Sequence, residues 1–360
     1  MTSTEGATPP SPVDPAARTW PSLIGDLIAG RNLTGVDASA AMEMILTDQA
    51  TSAQIAGFVV ALRAKGETSE ELSGLLDAVL AQAAIVPLDD EERSRAIDVV
   101  GTGGDGAHSI NVSTMAALVA AGAGAPVCKH GARSASSKCG TADVLEYLGV
   151  AIEQTPDGVA GCVREAGIGF CFAPAFHGAF KASAQPRREL GVPTAFNLIG
   201  PMANPGRVRR QLIGVAEVRF AEAMVEALRQ HGLISAWVVH GQGLDELTTT
   251  GPSTVIALRG GSIEEFRVDP ADYGFAPAKP ADLRGGGPAE NADVVRRVLA
   301  GDTGAHRDIV LLNAGAALVV AGLAADLGEG IERAAASIDG GHAAASLDAM
   351  VRVSQSYVVE

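Results

Sequence analysis

Four stretches of the 360-residue sequence gather side chains able to do chemistry. The first is Gly101-Thr102-Gly103-Gly104-Asp105, which follows the β-rich run Ala96 to Val100. Glycines there let backbone N–H groups approach an anion closely. The loop lacks the Gly-Lys-Ser/Thr of a P-loop and the spacing of a dinucleotide loop. A tight turn without a ligand explains it equally well. Asn111, Val112, Ser113 and Thr114 then open a helix, whose free N–H groups and dipole favour phosphate. Asn111 or Ser113 also suits a helix cap, and the two roles are compatible.

The second stretch, Lys129 to Lys138, places three cations, a histidine and three hydroxyls at another strand end. That chemistry suits a diphosphate, against the alternative of a solvated loop. The third is Asp245-Glu246, adjacent hard oxygen donors of the kind that hold Mg²⁺ together with water and substrate phosphate. Alone, it would read as an exposed acidic turn. In the fourth, Arg187-Arg188, neighbours on a helix point in different directions. One can enter a cleft and grip a carboxylate while the other stays at the surface. His177 and Phe180 stand where they could line the same cleft, although each alone is ordinary packing.

These residues need a scaffold. Apolar residues form 47% of the chain and aromatics only 4%, a composition that suits helices packed on a buried parallel sheet. From Trp20 to Gln82 the apolar spacing is helical throughout and predicts four helices. Beyond Arg95, strands at 96–100, 126–129, 168–172, 211–216, 236–240 and 254–258 alternate with helices at 113–121, 142–148, 221–231, 292–300 and 308–321. This predicts an α/β fold with a small all-helical N-terminal domain, a large domain on a mainly parallel central sheet, and a cleft between them. The expected division is a disordered tail over 1–18, a helical domain over 19–90, and an α/β domain over 91–177 and 206–360. Part of the proline-rich stretch 178–205 should pack back on the helical domain, and 269–287 should be a loop.

The formal net charge of −15 argues against nucleic acid or an anionic membrane as partner. It also means that phosphate must be held by local cations or a bridging metal. No stretch has the length of a membrane span or the form of a signal peptide. Cys128, Cys139, Cys162 and Cys171 lack metal-type spacing and read as reduced thiols. A cytoplasmic location is expected.

Taken together, the motifs resemble the anthranilate phosphoribosyltransferases, which share their fold with the pyrimidine nucleoside phosphorylases. The resemblance is carried by Gly101 to Asp105, Asn111 to Thr114, Lys129-His130-Gly131, Ser136-Ser137, Arg187 to Gly191, Phe196 to Pro201, Asn204-Pro205 and Gly243 to Leu247. It runs in order from Trp20 to the C-terminus. It implies Mg²⁺-dependent transfer of a phosphoribosyl group from 5-phosphoribosyl 1-diphosphate (PRPP) to anthranilate, in tryptophan biosynthesis. It also implies two Mg²⁺ per subunit and a homodimer formed through the helical domain. Gly101, Gly104, Asp105, Ser109, the Asn111 to Thr114 segment and Thr141 would hold PRPP. So would Lys129, His130, Gly131, Ala132, Arg133, Ser134, Ala135, Ser136 and Ser137. Ser113, Asp245 and Glu246 would ligate magnesium, and Gly101, Ala132, His177 and Arg187 would meet anthranilate.

Departure of diphosphate leaves C1 of the ribose cationic, so the leaving negative charge is what must be stabilised. The arylamine is already a nucleophile, and no His–carboxylate pair suggests a strong general base. One departure concerns the acceptor: Ala132 stands where the family has Asn, removing a hydrogen bond worth on the order of 1 kcal/mol. The proline that often follows the family's His is also missing after His177. A paralogue with another aromatic amine acceptor, or one that binds ligand without turnover, are the alternatives. A nucleoside phosphorylase would show Lys-His-Ser-Thr-Gly-Gly, which is absent.

Overall fold

The computed structural model describes residues 18–134 and 137–358. The expected tail therefore lies almost wholly outside the described residues. Four helices, Trp20–Ile28, Gly35–Leu46, Ser52–Lys65 and Ser69–Gln82, begin the fold. A threonine caps each one: Thr19, Thr34, Thr51 and Thr68 accept a backbone N–H from the first turn. Their apolar stripes share a core with Phe196, Ile199 and Met202 of the helix Ala195–Met202, and with Val100, Ile213 and Val238 on one face of the sheet. Glu71 lies fully inside this layer. It accepts N–H bonds from Leu33 and Thr68 and pairs with Lys65 Nζ at 2.8 Å.

The sheet has seven strands: β1 (Ile97–Gly101), β2 (Val127–Gly131), β3 (Ile168–Phe172), β4 (Arg210–Gly214), β5 (Ser235–His240), β6 (Ser253–Arg259) and β7 (Ser262–Val268). Their order is β3-β2-β1-β4-β5-β6-β7. The first five run parallel, and β6 and β7 are antiparallel additions at one edge. Because β2 flanks β1 on one side and β4 on the other, the order reverses between β1 and β4. Crevices at such reversals, outside the carboxyl ends of the strands, are where open α/β sheets bind ligands. The helices Val112–Gly122, Ala305–Ala321, Leu327–Asp339 and His342–Ser356 cover the other face.

The six anticipated strands are present, and β7 is an addition. It is an edge strand whose outward residues include Glu264, Glu265 and Arg267, so it carries little apolar signal. Helices that were not anticipated include Asp90–Arg95, Pro156–Ala166, Ala173–Phe176, Leu327–Asp339 and His342–Ser356. In 178–205, the helix Lys181–Leu190 packs against Ser52–Lys65 and Gly35–Leu46. The stretch 269–287 holds only two short 3₁₀ turns, Pro270–Tyr273 and Pro280–Leu283.

Candidate active site

β1 ends in Gly101, where a Cβ would run into Asp245 Oδ2. Only glycine permits that approach. Gly103 and Gly104 follow with φ of 64° and 78°, the left-handed region that glycine enters without strain. The turn presents Gly103 N–H to Asp245 Oδ2 at 2.7 Å. Asp105 Oδ1 accepts from Ala107 N at 3.1 Å, and Ser109 bridges to Arg284 across the mouth of the loop. Asn111 makes no side-chain cap. Its Nδ2 donates to Cys139 O at 3.3 Å, and its Oδ1 accepts from Asn291 Nδ2 at 2.8 Å. The first turn of the helix Val112–Gly122 is met instead by a carboxylate, Glu246 Oε1, at 3.1 Å from Ser113 N. Thr114 and Thr141 hydroxyls lie 3.2 Å apart.

Lys129 is 1% exposed, so it belongs to the sheet rather than to a solvated loop. Its Nζ donates to Val99 O and lies 3.4 Å from Ser113 Oγ. Burial lowers its pKa, against the nearby Asp98 and Glu246 carboxylates. His130 is buried, and its ring is held neutral, with a pKa of about 3, chiefly by burial and then by His177 and Lys129. Gly131 completes β2, and a Cβ there would press on Phe170 and Thr141. Ala132 is exposed. Arg133 forms ion pairs with Asp143 at 3.0 Å and Glu146 at 2.8 Å on the next helix. The Ser134 and Ser137 hydroxyls meet at 2.7 Å. Ala135 and Ser136 lie outside the described residues.

The turn after β5 supplies Asp245 and Glu246. Burial and the charge of Asp105 push Asp245 up to about 7. Burial and Asp245 push Glu246 well above its usual range, opposed by Lys129. Carboxylates raised in this way favour a further cation beside them, and Ser113, whose N–H meets Glu246 Oε1, brings a hydroxyl to the same end of the sheet. Among the described residues no three His, Cys, Asp or Glu side chains form a complete metal cage. That fits Mg²⁺, which usually keeps waters and takes substrate phosphate oxygens alongside one or two carboxylates.

From the glycine loop a row of rings leads toward the helical layer. The His130 and His177 ring centroids are 5.1 Å apart, His177 and Phe180 5.4 Å, and Phe180 and Phe196 5.6 Å. The Arg187 guanidinium sits 4.8 Å from the Phe196 ring centroid, and burial lowers its pKa. Arg187 is half-buried, whereas its neighbour Arg188 is exposed. His177 Nε2 meets Ala203 O at 3.0 Å, and burial brings its pKa down to about 4.

Three residues that hold the site together carried no sequence-based role. Asp98, fully buried in β1, accepts His130 N–H at 3.0 Å and Asn204 Nδ2 at 2.8 Å. Burial pushes it up to about 6, opposed by Lys129. Asn204 Nδ2 also donates to Cys128 O at 2.8 Å. Asn313 fixes the acidic turn through two bonds to the Leu247 backbone, at 3.0 and 2.8 Å. An acid inside the strand pattern Ile97-Asp98-Val99-Val100 was the available signal.

The fold and site define a class. Residues 93–344 match the model described as "Glycosyl transferase family, a/b domain", and 21–83 match its "helical bundle domain". An anthranilate phosphoribosyltransferase from Salinispora arenicola is 52% identical over 345 residues, 94% of this chain and 98% of that protein. The crystal structure of the Thermus thermophilus enzyme superposes with a TM-score of 0.86 at 37% identity, covering 92% of this chain and 99% of that one. The Saccharomyces cerevisiae enzyme in complex with PRPP and Mg gives 0.85 at 28% identity, covering 94% and 98%. This chain belongs to the anthranilate phosphoribosyltransferase family.

Proposed function

We propose that the chain transfers the phosphoribosyl group of PRPP to anthranilate, giving N-(5-phosphoribosyl)anthranilate and diphosphate, the second step from chorismate in tryptophan biosynthesis. The observation that carries this reading is the continuous row from the end of β2, through His130, His177, Phe180 and Phe196, to Arg187. Such a row offers aromatic edges and faces against which an acceptor ring can pack, and a guanidinium at the far end suits its carboxylate.

The backbone N–H groups of Gly101 to Asp105 and the helix start at Ser113 hold the PRPP phosphates. Thr141 and residues of the Lys129 to Ser137 segment contribute further contacts to them. Asp245, Glu246 and Ser113 Oγ would hold two Mg²⁺ per subunit, which supply positive charge to the departing diphosphate. Arg187 orients the acceptor so that its amine faces ribose C1. Buried His130 and His177, both of low pKa, stay neutral at physiological pH and leave positioning as the main contribution. A homodimer through the helical domain is supported by Ile28, Val36 and Val60, exposed there at 75%, 79% and 43%. A cytoplasmic location is supported by four free cysteines.

Ala132 favours a second reading, in which another arylamine is the acceptor. One assay separates the two: phosphoribosyl transfer to anthranilate and to a panel of aminobenzoates, with and without Mg²⁺. Turnover of anthranilate that needs Mg²⁺ is the expected result. Preference for another amine establishes the second reading, and no turnover with any amine removes both.

A further inference from the structure

At the opposite end of the sheet, by the amino ends of β1, β4 and β5, lies a cavity of ≈ 320 Å³. Its size falls within the range of small-molecule sites. Leu76, Leu80, Met202 and Leu228 form an apolar wall, and Arg93, Arg207 and Gln211 face them. Arg93 Nε, Arg207 Nε and Gln211 Oε1 are each buried without a hydrogen-bond partner. Leaving such groups buried and unpaired destabilises a fold.

Among the described residues the two guanidiniums are weakly neutralised. Arg93 has only the exposed Asp90 at 3.8 Å, and Arg207 has one bond, from Nη2 to Leu80 O at 2.7 Å. Burial and then the charge of Arg93 hold Arg207 below its ordinary pKa. The chain carries 42 acidic residues against 27 basic ones, yet none forms an ion pair with Arg207 among the described residues. Arg207 also sits at a φ of 53°, a strained conformation for a long side chain. An anion placed between the guanidiniums would satisfy both, and the leucine wall would take an apolar body.

We propose that this cavity binds a small carboxylate with an apolar body, gripped by Arg93 and Arg207, and that its occupancy reaches the catalytic end through Asn204. Asn204 lines the cavity and donates to Asp98 Oδ2, whose other oxygen accepts the His130 N–H. A ligand that stiffens Asn204 stiffens the Lys129-His130-Gly131 strand end.

Calorimetry on the full chain tests the site with phenylacetate, neutral phenylacetamide and inorganic sulfate. Phenylacetate should bind at least about tenfold more tightly than the other two, a difference of about 1.4 kcal/mol. Arg207→Met should abolish that preference, while Arg187→Met, in the proposed acceptor site, should leave it intact. Should Arg207→Met fail to fold, Leu80→Trp fills the apolar half and spares both guanidiniums. It should then lose phenylacetate and keep sulfate. Equal binding by wild type and either cavity variant, sulfate binding as tight as phenylacetate, or no phenylacetate binding by about 10 mM each overturns the site. Amide exchange at His130 should slow when phenylacetate is bound, and unchanged exchange overturns the coupling to the catalytic end.

Discussion

Ala132 follows Gly131 at the mouth of the proposed acceptor site, and its methyl group can neither donate nor accept a hydrogen bond. If anthranilate is the acceptor, Ala132→Asn restores the amide that the family pattern has there. The expected outcome is a lower KM for anthranilate, by roughly threefold to tenfold for a bond of about 1 kcal/mol, with kcat changed little. A raised KM would point to a different amine. Arg187 is the complementary case. Replacing it with Lys keeps the charge but loses the planar fork that rests on Phe196 and could grip a carboxylate in bidentate fashion. Arg187→Lys should raise the anthranilate KM about tenfold or more and leave the KM for PRPP nearly unchanged. Steady-state kinetics with each substrate varied in turn reads both outcomes.

At the scale of elements, β1 and β2 are tied below the site by one buried acid. Asp98→Asn keeps the shape but gives one of the two donors, His130 N–H or Asn204 Nδ2, another donor to face. The expected loss is about 1–3 kcal/mol of stability, with a raised KM for PRPP because the Lys129-His130-Gly131 strand end is no longer fixed. Thermal melts and PRPP titrations check the two parts separately. The seam between the helical layer and the sheet offers a second test. Glu67 is 7% exposed, both of its carboxyl oxygens lack partners, and Arg63 Nη1 stands 3.9 Å away. Burial raises its pKa, so the fold favours the protonated acid. Its contribution is present below the unfolded value and is lost as pH rises through the folded one. Glu67→Gln mimics the protonated form and should therefore raise the melting temperature at pH 8 more than at pH 5. An equal effect at both pH values would sink this account. Strands such as Ile168–Phe172 and the capped helices of the first layer were legible because burial on both faces, apolar stripes and threonine caps leave strong local patterns. β7 and the helix Leu327–Asp339 were not, since a charged edge strand and a helix of alanines with Glu329, Glu332 and Arg333 carry little such signal. Of the site, the glycine loop, Lys129 and the acidic turn could be read from residue type and position. Asp98, Asn204 and Asn313 could not, because their roles depend on partners 32, 106 and 66 positions away.

For the molecule as a whole, the net charge of −15 sets the terms on which it meets an anionic substrate. Asp105, Asp245 and Glu246 repel one another at the carboxyl end of the sheet, and Lys129 is the cation that acts on Glu246 there. PRPP alone adds negative charge to this cluster. Mg²⁺ alone, at the proposed site, would meet two carboxylates and a hydroxyl but no phosphate oxygens to complete its shell. Together each supplies what the other lacks, so their binding should be cooperative. A ligand at a hundred times its Kd stabilises a fold by about 2.7 kcal/mol. Thermal melts with PRPP, with Mg²⁺ and with both should therefore show a combined rise greater than the sum of the separate ones, removed by EDTA. Asp245→Asn with Glu246→Gln should relieve the repulsion, raising the melting temperature without ligand, and erase the cooperative increment. If PRPP with EDTA stabilises the wild-type chain as much as PRPP with Mg²⁺, these carboxylates do not act through a metal.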